Sequence, residues 1–528
     1  MSKTQKVLVA GAWRDSQASS TFEPDNPTTR EATGELYPVS NEAEVLEAIE
    51  AAAVASEQLR AFYPEGIARF LETYADRIEA RADEIVAMAA TESGLPAPTR
   101  LAAIELPRTT GQLRQAAAAA RTGSWCLPTI DTASNIRSLY QALEGGVAVF
   151  GPNNFPLAFN SVSGGDFAAA IGAGCPVIGK ANSSHPGTSR LLAEEALEAL
   201  KATGLPLATV QLIYRTDHAV GAKLVSHAKI GATGYTGSRD AGLTLKAAAD
   251  AAGKPIYLEL SSINPVYILP GALKERGEAM ADEFSTSCLM GTGQFCTNPG
   301  IVVLLKGDTT DSFIQQVKER FEAAPVGTLL ARGVETGLSR SVAALQQAGA
   351  ELLTGGQAGA GQGFSFSNTL LCVSGATFLQ NPEALQTEAF GNESLFIVAD
   401  DVDQACAVAR HFEGNLTGSI YSATAGTDDD AYDRIAPLLR RKVGRLLNDK
   451  MPTGVAVVPS MNHGGPYPAT GHPGFTAVGI PASLLRFGML SCYDNVRDDR
   501  LPAELQNKNP GGVARLVDGV WSTGDVPA

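Results

Sequence analysis

The sequence predicts an α/β fold built around a parallel sheet. After Gly145, short apolar runs alternate with segments of helical periodicity, which is typical of a parallel sheet covered by helices on both faces. Hydrophobic residues make up 44% of the 528 residues and charged residues 18%, as in a well-packed globular chain of two or three domains. Because ligands of such sheets bind at the carboxyl ends of the strands, the loops there are the candidate functional segments.

The composition excludes several classes of partner. The formal net charge of −15 disfavours nucleic acids and anionic membrane surfaces. The apolar stretch 7–13 is too short for a signal peptide, and no run of about 18 apolar residues predicts a membrane span. The seven cysteines are scattered, odd in number and without metal-type pairing. We therefore expect a reduced, cytoplasmic protein that binds no nucleic acid, no membrane and no metal ion.

Helices are predicted before this alternating region. Asn41 and Glu44 have the spacing of a capping box, and apolar residues recur at helical spacing after them. In the third helix Pro107 is expected to cause a kink or a break. Arg108 and Gln112, four residues apart, favour a solvated polar face on that helix. The predicted helices cover residues 41–62, 65–91 and 99–121.

Strands and helices alternate in the next hundred residues. Each strand is a short apolar run, and each is followed by a polar loop and then by a segment of helical periodicity. The predicted strands are 147–150, 177–179, 210–214, 230–232 and 256–260, and the predicted helices are 161–174, 187–203, 217–227 and 239–252.

Two of the polar loops carry side chains suited to chemistry. Asn154, in the loop 151–156, offers amide N–H groups that could stabilise an oxyanion, although turns rich in Asn and Pro are common without a function. Lys180 stands alone at a strand end before a polar loop. It could contact a ribose or a phosphate, or be a surface lysine with a buried stem.

The next two strand ends add a candidate anion site and a candidate base. Gly237 and Gly242 lie five residues apart at a predicted helix start, which suits a pyrophosphate, although the pattern is not G-x-G-x-x-G. Glu259 ends an apolar strand. Partial desolvation there tends to raise a carboxyl pKa toward the range of a general base.

A candidate nucleophile follows the helical run 279–289. Cys296 lies in the loop 291–300 among small and turn-forming residues, and an accessible thiolate is an effective nucleophile. The alternative is a small buried hydrophobic side chain, which is the commoner role of a free cysteine. Cys288, eight residues earlier, has no assigned role.

Six of these motifs occur together in one order: F-G-P-N-N-F-P, P-V-I-G-K, Y-T-G-S-x-x-x-G, L-E-L-x-x-x-N-P, G-Q-F-C and E-A-F-G. The set resembles the aldehyde dehydrogenase superfamily over most of the chain. The run G-Q-F-C-T-N-P-G and the stretches 185–189 and 110–114 are most similar to the 2,5-dioxovalerate (α-ketoglutarate semialdehyde) dehydrogenases and the related bacterial fatty-aldehyde dehydrogenase.

The resemblance implies specific catalytic roles. Cys296 would attack the aldehyde carbon, and Asn154 with the Cys296 backbone N–H would form the oxyanion hole. Glu259 would activate the thiol or the water that hydrolyses the thioester, and Lys180 would bind the adenosine ribose and assist catalysis indirectly. Two positions depart from the common pattern: Asn153 replaces the usual Trp, and L-E-L-S-S-I replaces L-E-L-G-G-K.

The resemblance also implies the residues that bind the cofactor. Gly237, Ser238 and Gly242 would receive the adenosine diphosphate portion. Glu388 would hold the nicotinamide ribose, with Phe390 beside it.

NADP is slightly favoured over NAD. NAD-preferring members often carry Glu three residues after the strand-end lysine, and here that residue is Ser183, which leaves room for a 2′-phosphate. Arg215, after the strand 210–214, is a candidate partner for that phosphate.

The implied fold has a Rossmann-type cofactor domain, an α/β catalytic domain and a small oligomerisation arm. The cofactor domain would comprise residues 1–125 and 145–262, the catalytic domain 263–460, and the arm 126–144 and 480–528. A homodimer or homotetramer is expected, and residues 461–466 would lie near the substrate entrance.

The implied activity is NAD(P)-dependent oxidation of an aldehyde through a thiohemiacetal and a thioester, with α-ketoglutarate semialdehyde as the favoured substrate. Arg108 and Arg114 are candidate cations for the substrate carboxylate, with Phe155 as a further substrate contact. The alternatives are a broad medium- or long-chain aldehyde dehydrogenase, an acylating enzyme that releases the thioester to coenzyme A, and a non-enzymatic structural member of the fold. Glu259 argues against the acylating enzyme, because a positioned base favours hydrolysis.

Overall fold

A computed structural model describes residues 4–526, in which two seven-stranded sheets and one five-stranded sheet form the framework. The elements of the first half are β1 (Val7–Val9), β2 (Ala12–Arg14), β3 (Thr21–Phe22), β4 (Tyr37–Pro38), α1 (Glu42–Leu59), α2 (Glu65–Ala80), α3 (Ala82–Ser93), α4 (Leu106–Thr122), β5 (Thr129–Asp131), β6 (Ile136–Ala142), β7 (Gly146–Phe150), α5 (Gly165–Gly172), β8 (Val177–Lys180), α6 (Pro186–Thr203), β9 (Val210–Ile213), α7 (His218–Ser226), β10 (Ile230–Thr236), α8 (Arg239–Ala251) and β11 (Ile256–Glu259).

The second half continues the alternation of strands and helices. Its elements are β12 (Val266–Ile268), α9 (Pro270–Leu289), β13 (Ile301–Leu305), α10 (Asp308–Ala323), α11 (Arg332–Gln347), β14 (Glu351–Thr354), β15 (Thr369–Ser374), α12 (Gly375–Gln380), β16 (Glu393–Ala399), α13 (Val402–His411), β17 (Asn415–Tyr421), α14 (Asp429–Arg440), β18 (Val443–Asn448), β19 (Gly488–Asp494), β20 (Arg515–Val517) and β21 (Val520–Ser522). None of the described helices is long and apolar enough to cross a membrane.

The first sheet aligns the strand ends that carry the predicted site. Its order is β11-β10-β7-β8-β9-β1-β2, with β7 to β11 parallel and β1 and β2 antiparallel. Phe150 at the end of β7 pairs with Lys180 at the end of β8, and Thr236 at the end of β10 pairs with Glu259 at the end of β11. The loops that follow these strands therefore leave the same edge of the sheet, as parallel topology requires.

The second sheet has the order β14-β15-β16-β13-β12-β17-β18, and only β14 is antiparallel to its neighbour. All seven strands fall within the predicted catalytic segment 263–460. The Cys296 loop connects α9 to β13, which lies near the middle of this sheet. The nucleophile candidate therefore reaches the site from a different sheet than Glu259.

The two predicted arm segments meet in the third sheet, whose order is β19-β6-β5-β20-β21. β6 and β19 pair antiparallel over seven residues, which joins segment 126–144 to segment 480–528. Several large apolar side chains of this sheet are exposed: Met489, Leu490, Val520 and Trp521. Its role in oligomerisation stays a prediction, and residues 1–3 and 527–528 of the predicted segments lie outside the described residues.

Two predicted helices are interrupted. The helix predicted over 65–91 is two helices, because Arg81 leaves the helical conformation (φ −108°, ψ 20°) and its side chain pairs with Glu84 and Glu194. The helix predicted over 99–121 begins as a π-helix, Ala97–Glu105, and continues as α4. Pro107 lies in the first turn of α4 directly after this π-helix, and it does not break the helix, because Glu105 keeps helical dihedral angles (φ −78°, ψ −41°).

Candidate active site

Side chains of helix α4 and of Glu105, the residue before that helix, hold the loop that carries Asn154. Glu105 accepts hydrogen bonds from the backbone N–H groups of Leu157 (2.8 Å) and Ala158 (3.0 Å), and Gln112 Nε2 donates to the Ala158 carbonyl at 3.1 Å. Gln112 is buried, and Arg108 beside it is largely buried. The predicted solvated face on this helix is therefore wrong. These polar side chains face inward because they satisfy the backbone of a buried loop.

The loop that carries Cys296 needs left-handed backbone. Gly291, Thr292 and Gly293 have φ values of 56°, 59° and 69°, and a Cβ on Gly293 would lie 2.0 Å from the Gly391 carbonyl oxygen. Only glycine fits that close approach. Asn264 Nδ2 then donates to the carbonyl of Cys296 at 2.9 Å, which fixes the position of the nucleophile candidate.

Three side chains converge at the centre of the site. His463 Nε2 lies 3.3 Å from Cys296 Sγ and 2.9 Å from Glu259 Oε1. Glu259 and His463 are 1% and 2% exposed, and Cys296 is partly buried. Neither oxygen of Glu259 has a hydrogen bond of acceptable geometry among the described residues. The site thus holds a thiol, an imidazole and a carboxylate within reach of one another.

The environment of Cys296 keeps its thiol protonated. Burial raises the pKa of Cys296 well above its usual value, and the negative charge of Glu259 raises it further. The positive charge of Arg108 acts in the opposite direction. A thiol with a raised pKa needs a base that removes its proton when the substrate binds.

Asn154 reaches the Cys296 loop with its side-chain amide. Its Nδ2 donates to the Gln294 carbonyl at 3.0 Å, two residues before the cysteine, and the residue is buried. Because an amide nitrogen carries two hydrogens, one N–H of Asn154 stays free of this bond.

Arg108 lies in an aromatic pocket beside the centre. Its Cζ is 5.4 Å from the ring centroid of Phe155 and 5.0 Å from that of Phe159. Its Nε and Nη2 are buried and have no hydrogen-bond partner among residues 4–526. Burial lowers the pKa of Arg108, while the negative charge of Glu105 raises it. An unpaired buried guanidinium is costly, so this position calls for an anionic ligand.

Arg100 completes the cationic side of this pocket, and no sequence motif singles it out. Its Nη1 pairs with Glu105 at 2.8 Å, its Nη2 donates to the Asn154 carbonyl at 3.4 Å, and its Cζ lies 4.3 Å from the Phe155 centroid. Phe155 itself packs edge-on against Phe295, with ring centroids 5.5 Å apart.

Arg114 does not belong to the site. Its guanidinium pairs with Glu79 at 2.6 Å and with Asp76 at 2.7 Å, and its side chain is 39% exposed. The expectation that Arg114 binds a substrate carboxylate is corrected, because its charge is already neutralised on the outer surface of α4.

Lys180, Ser183 and Arg215 form a second cationic site at the ends of β8 and β9. Arg215 Nε donates to Ser183 Oγ at 3.2 Å. Burial lowers the pKa of Lys180 to about 8, with a further contribution from the positive charge of Arg215. Neither cation has an ion-pair partner among the described residues, although the chain is acidic. The pair fits an anionic group of a ligand.

Gly237, Ser238 and Gly242 lie at the start of α8, where they were expected. Ser238 precedes the first turn, and the Gly237 N–H donates to the Glu259 carbonyl at 3.1 Å. A Cβ on Gly242 would come within 2.5 Å of Leu260 Cδ2, so this glycine allows α8 to pack closely against the strand that carries Glu259.

Glu388 and Phe390 line a small cavity with Ser262, Ile263 and Phe295. Burial raises the pKa of Glu388 to about 7, and the Ser262 N–H donates to its Oε1 at 3.3 Å. The side chain of Ser261 also hydrogen-bonds to this carboxyl group.

A model of the "Aldehyde dehydrogenase family" matches residues 13–459. The chain belongs to this family. It is an aldehyde-oxidising oxidoreductase that uses NAD(P).

Two curated relatives match nearly the whole chain. The chain is 39% identical over 498 residues to "Alpha-ketoglutaric semialdehyde dehydrogenase 2" of Azospirillum brasilense, covering 92% of this chain and 93% of that protein. It is 36% identical over 511 residues to "Alpha-ketoglutaric semialdehyde dehydrogenase" of Acinetobacter baylyi, covering 95% of each. Lactaldehyde dehydrogenase from Escherichia coli shares the fold, with a TM-score of 0.80 at 22% identity, over 93% of this chain and 99% of that one.

Three residues of this aldehyde dehydrogenase site had no assigned role in the sequence. His463 lies in the segment 461–466 that was expected near the substrate entrance, but nothing in its spacing points to Cys296. Asn264 was visible only as part of a motif, and Glu105 looked like an ordinary helical residue. Cys288 is buried beside Asn298, its pKa is raised by burial, and it has no place in the site.

Proposed function

We propose that this aldehyde dehydrogenase oxidises α-ketoglutaric semialdehyde to 2-oxoglutarate, with NADP as the preferred cofactor. The substrate is a short chain with an aldehyde at one end and an oxo acid at the other. Two relatives at 39% and 36% identity bear this activity in their names. The observation that carries the proposal is the unpaired, buried guanidinium of Arg108 beside the nucleophile.

Arg108 is the proposed anchor of the substrate carboxylate. A guanidinium binds a carboxylate with two parallel hydrogen bonds, and the buried Nε and Nη2 atoms are the ones that lack partners. Phe155 and Phe159 hold the guanidinium in place and exclude water, which strengthens the ion pair. An aldehyde without a carboxylate would leave Arg108 unpaired and would bind less well.

His463 and Glu259 are the proposed proton acceptors. The Cys296 thiol proton has two acceptors within reach: His463 Nε2, 3.3 Å from Sγ, and Glu259, whose Oε1 lies 2.9 Å from the same nitrogen. The thiolate then bonds to the aldehyde carbon, and Asn154 with the Cys296 N–H stabilises the oxyanion. Bound NAD(P) supplies the hydride acceptor. Glu259 afterwards removes a proton from the water that cleaves the thioester.

The cationic site at β8 and β9 supports NADP. Among residues 4–526 Lys180 and Arg215 have no acidic partner, and Ser183 stands where a Glu would repel a 2′-phosphate. Gly237, Ser238 and the start of α8 would receive the diphosphate, and Glu388 the nicotinamide ribose.

The third sheet, with the strand order β19-β6-β5-β20-β21, supports an oligomer. Its exposed apolar side chains at β19 and β21 would be covered in a dimer or tetramer. The cytoplasm is the proposed location of the enzyme. Light scattering of the purified enzyme tests the oligomeric state, and a monomer would contradict it.

The test of the substrate is steady-state kinetics with α-ketoglutaric semialdehyde and hexanal, each with NAD and NADP. We expect the oxo acid to have the higher kcat/KM by at least about tenfold, since a charged hydrogen-bonded contact contributes roughly 1.5–3 kcal/mol. A kcat/KM for hexanal equal to or above that of the oxo acid would contradict the proposal and indicate a broad aldehyde oxidiser.

A further inference from the structure

The centre of the active site combines three metal-ligand types. Cys296 Sγ, His463 Nε2 and an oxygen of Glu259 all lie within 4.8 Å of one another. Thiolate, imidazole and carboxylate are the three side-chain ligands of Zn²⁺, and they come here from three separate segments of the chain. The Cys296 loop, the end of β11 and the loop after β18 bring them together.

The separations are close to those of a tetrahedral zinc site. His463 Nε2 is 3.3 Å from Sγ and 2.9 Å from Glu259 Oε1. Bond lengths of about 2.0–2.3 Å to a tetrahedral ion place neighbouring ligand atoms roughly 3.3–3.7 Å apart. His463 Nε2 would therefore need to move away from each of the other two ligand atoms by only a few tenths of an ångström, and those two atoms lie within 4.8 Å of each other.

Glu259 supplies an independent indication. Its carboxylate is 1% exposed, and neither of its oxygens has a hydrogen bond of acceptable geometry among the described residues. A buried carboxylate without a well-formed hydrogen bond is costly, and one of its oxygens lies within 4.8 Å of the other two ligand atoms. An ion at the centre of the triangle would pair with it.

We propose that Cys296, His463 and Glu259 form a reversible inhibitory Zn²⁺ site, with water or solvent hydroxide as the fourth ligand. On binding, the Cys296 thiol releases its proton to solvent and Sγ bonds to the ion, with no change of oxidation state. The ion then occupies the electron pairs of the nucleophile and of both proton acceptors, so turnover stops. Mg²⁺ and Ca²⁺ do not replace it, because they prefer sites made of oxygen ligands.

Metal titration of the full-length enzyme tests the proposal. The enzyme is freed of metal with a chelator and titrated with ZnSO₄ in a buffer that does not bind zinc. Calorimetry should show one tight site per chain. Dehydrogenase activity and alkylation of Cys296 by iodoacetamide should fall together, and EDTA should restore both. MgCl₂ at the same concentrations should have no effect.

Ligand variants are examined by metal binding, because their activity is lowered for other reasons. Cys296→Ala and His463→Asn should each weaken zinc binding by at least about tenfold, and Glu259→Gln provides a third variant of nearly unchanged size. The controls are Cys492→Ser and His472→Asn, which remove an exposed thiol and an exposed imidazole. Circular dichroism verifies that each variant is folded.

Three results would overturn the proposal: wild-type enzyme that retains activity with saturating Zn²⁺, tight binding that persists in the ligand variants, or binding that is lost in the controls. None of these results depends on which aldehyde is the substrate, so the zinc site can fail while the proposed function holds.

Discussion

The two faces of helix α4 carry arginines in opposite situations. On the inner face Arg108 is packed against two phenyl rings, and its buried Nε and Nη2 have no hydrogen-bond partner within the described part of the chain. On the outer face Arg114 and Arg121 are partly exposed, and each pairs with two acidic side chains of the α2 region. The same residue type, on the same helix, is therefore neutralised on one face and left unpaired on the other.

The comparison distinguishes arginines that form ion pairs at the surface from an arginine that is available to a ligand. Partly exposed ion pairs contribute little to stability, since water already solvates both partners. A buried guanidinium without a partner lowers stability, and a protein retains such a group where a ligand supplies the missing charge. We therefore propose Arg108 as the contact for the substrate carboxylate, whereas Arg114 lies on the surface, although the sequence treats the two residues alike.

The largest expected effect comes from the reacting group beside Arg108. Cys296→Ala should lower kcat by at least about a thousandfold, because no other described side chain can form the thioester. Cofactor binding, followed by fluorescence, should be retained. Cys492→Ser, on the surface, is the matched control and should keep full activity. Substantial turnover by Cys296→Ala would show that Cys296 is not the nucleophile.

The next effect is on the substrate anchor. Arg108→Met should lower kcat/KM for α-ketoglutaric semialdehyde by roughly 30–100-fold, which corresponds to losing a buried charged contact of about 2–3 kcal/mol. The loss should appear mainly in KM. Arg108→Lys, which keeps the charge but not the two parallel donors, should recover part of it. An unchanged KM in Arg108→Met would contradict the proposal that Arg108, on the inner face of α4, binds the substrate carboxylate.

The cofactor site offers a smaller test of the same principle. Ser183→Glu should raise the KM for NADP by about tenfold or more and leave the KM for NAD nearly unchanged, since the new carboxylate repels only the 2′-phosphate. Ser183→Gln, which has the same size without the charge, is the control. An equal effect of both variants on NADP would indicate crowding in place of charge.

The protonation of Lys180 predicts a pH dependence. Its pKa is lowered to about 8, so the ammonium that attracts an anionic cofactor is present below this pH and is lost above it. The KM for NADP should therefore rise several-fold between about pH 7 and pH 9. Lys180→Arg keeps its charge throughout this range and should flatten the profile. A profile that is identical in both enzymes would assign the titration to another group.

The smallest effect is expected on the outer face. Arg114→Met should change the free energy of unfolding by less than about 1 kcal/mol, because its ion pairs are partly exposed and screened. Chemical denaturation measures this, and kcat/KM should stay within about twofold of the wild-type value. A large loss of activity would show that Arg114 contributes to the active site.

Much of the first sheet and of the site was predictable from local pattern. The strands that end at Phe150, Lys180 and Glu259 are short apolar runs before polar loops, and parallel topology brings those ends to one edge. The Asn41 cap formed as expected, with its side chain accepting from the Glu44 N–H at 3.0 Å. The break at Arg81 was missed, because it depends on ion pairs to residues more than a hundred positions away.

The remaining site residues could not be predicted because their roles arise from contacts distant in the chain. His463 meets Cys296 across 167 positions, and Asn264 holds the Cys296 carbonyl across 32. Arg108 was interpreted both as part of a solvated face and as a substrate contact. Its spacing from Gln112 cannot distinguish these, since a helix period gives a face but not what covers it.

The most direct test of the account is a cycle that removes the arginine and the carboxylate separately. kcat/KM is measured for 5-oxopentanoate and pentanal, which differ in the terminal carboxylate, with wild-type, Arg108→Met and Arg114→Met enzymes. The account predicts that Arg108→Met reduces the preference for 5-oxopentanoate by at least about tenfold, whereas Arg114→Met leaves it unchanged. An equal loss on both aldehydes in Arg108→Met would contradict the claim that this arginine binds the substrate carboxylate.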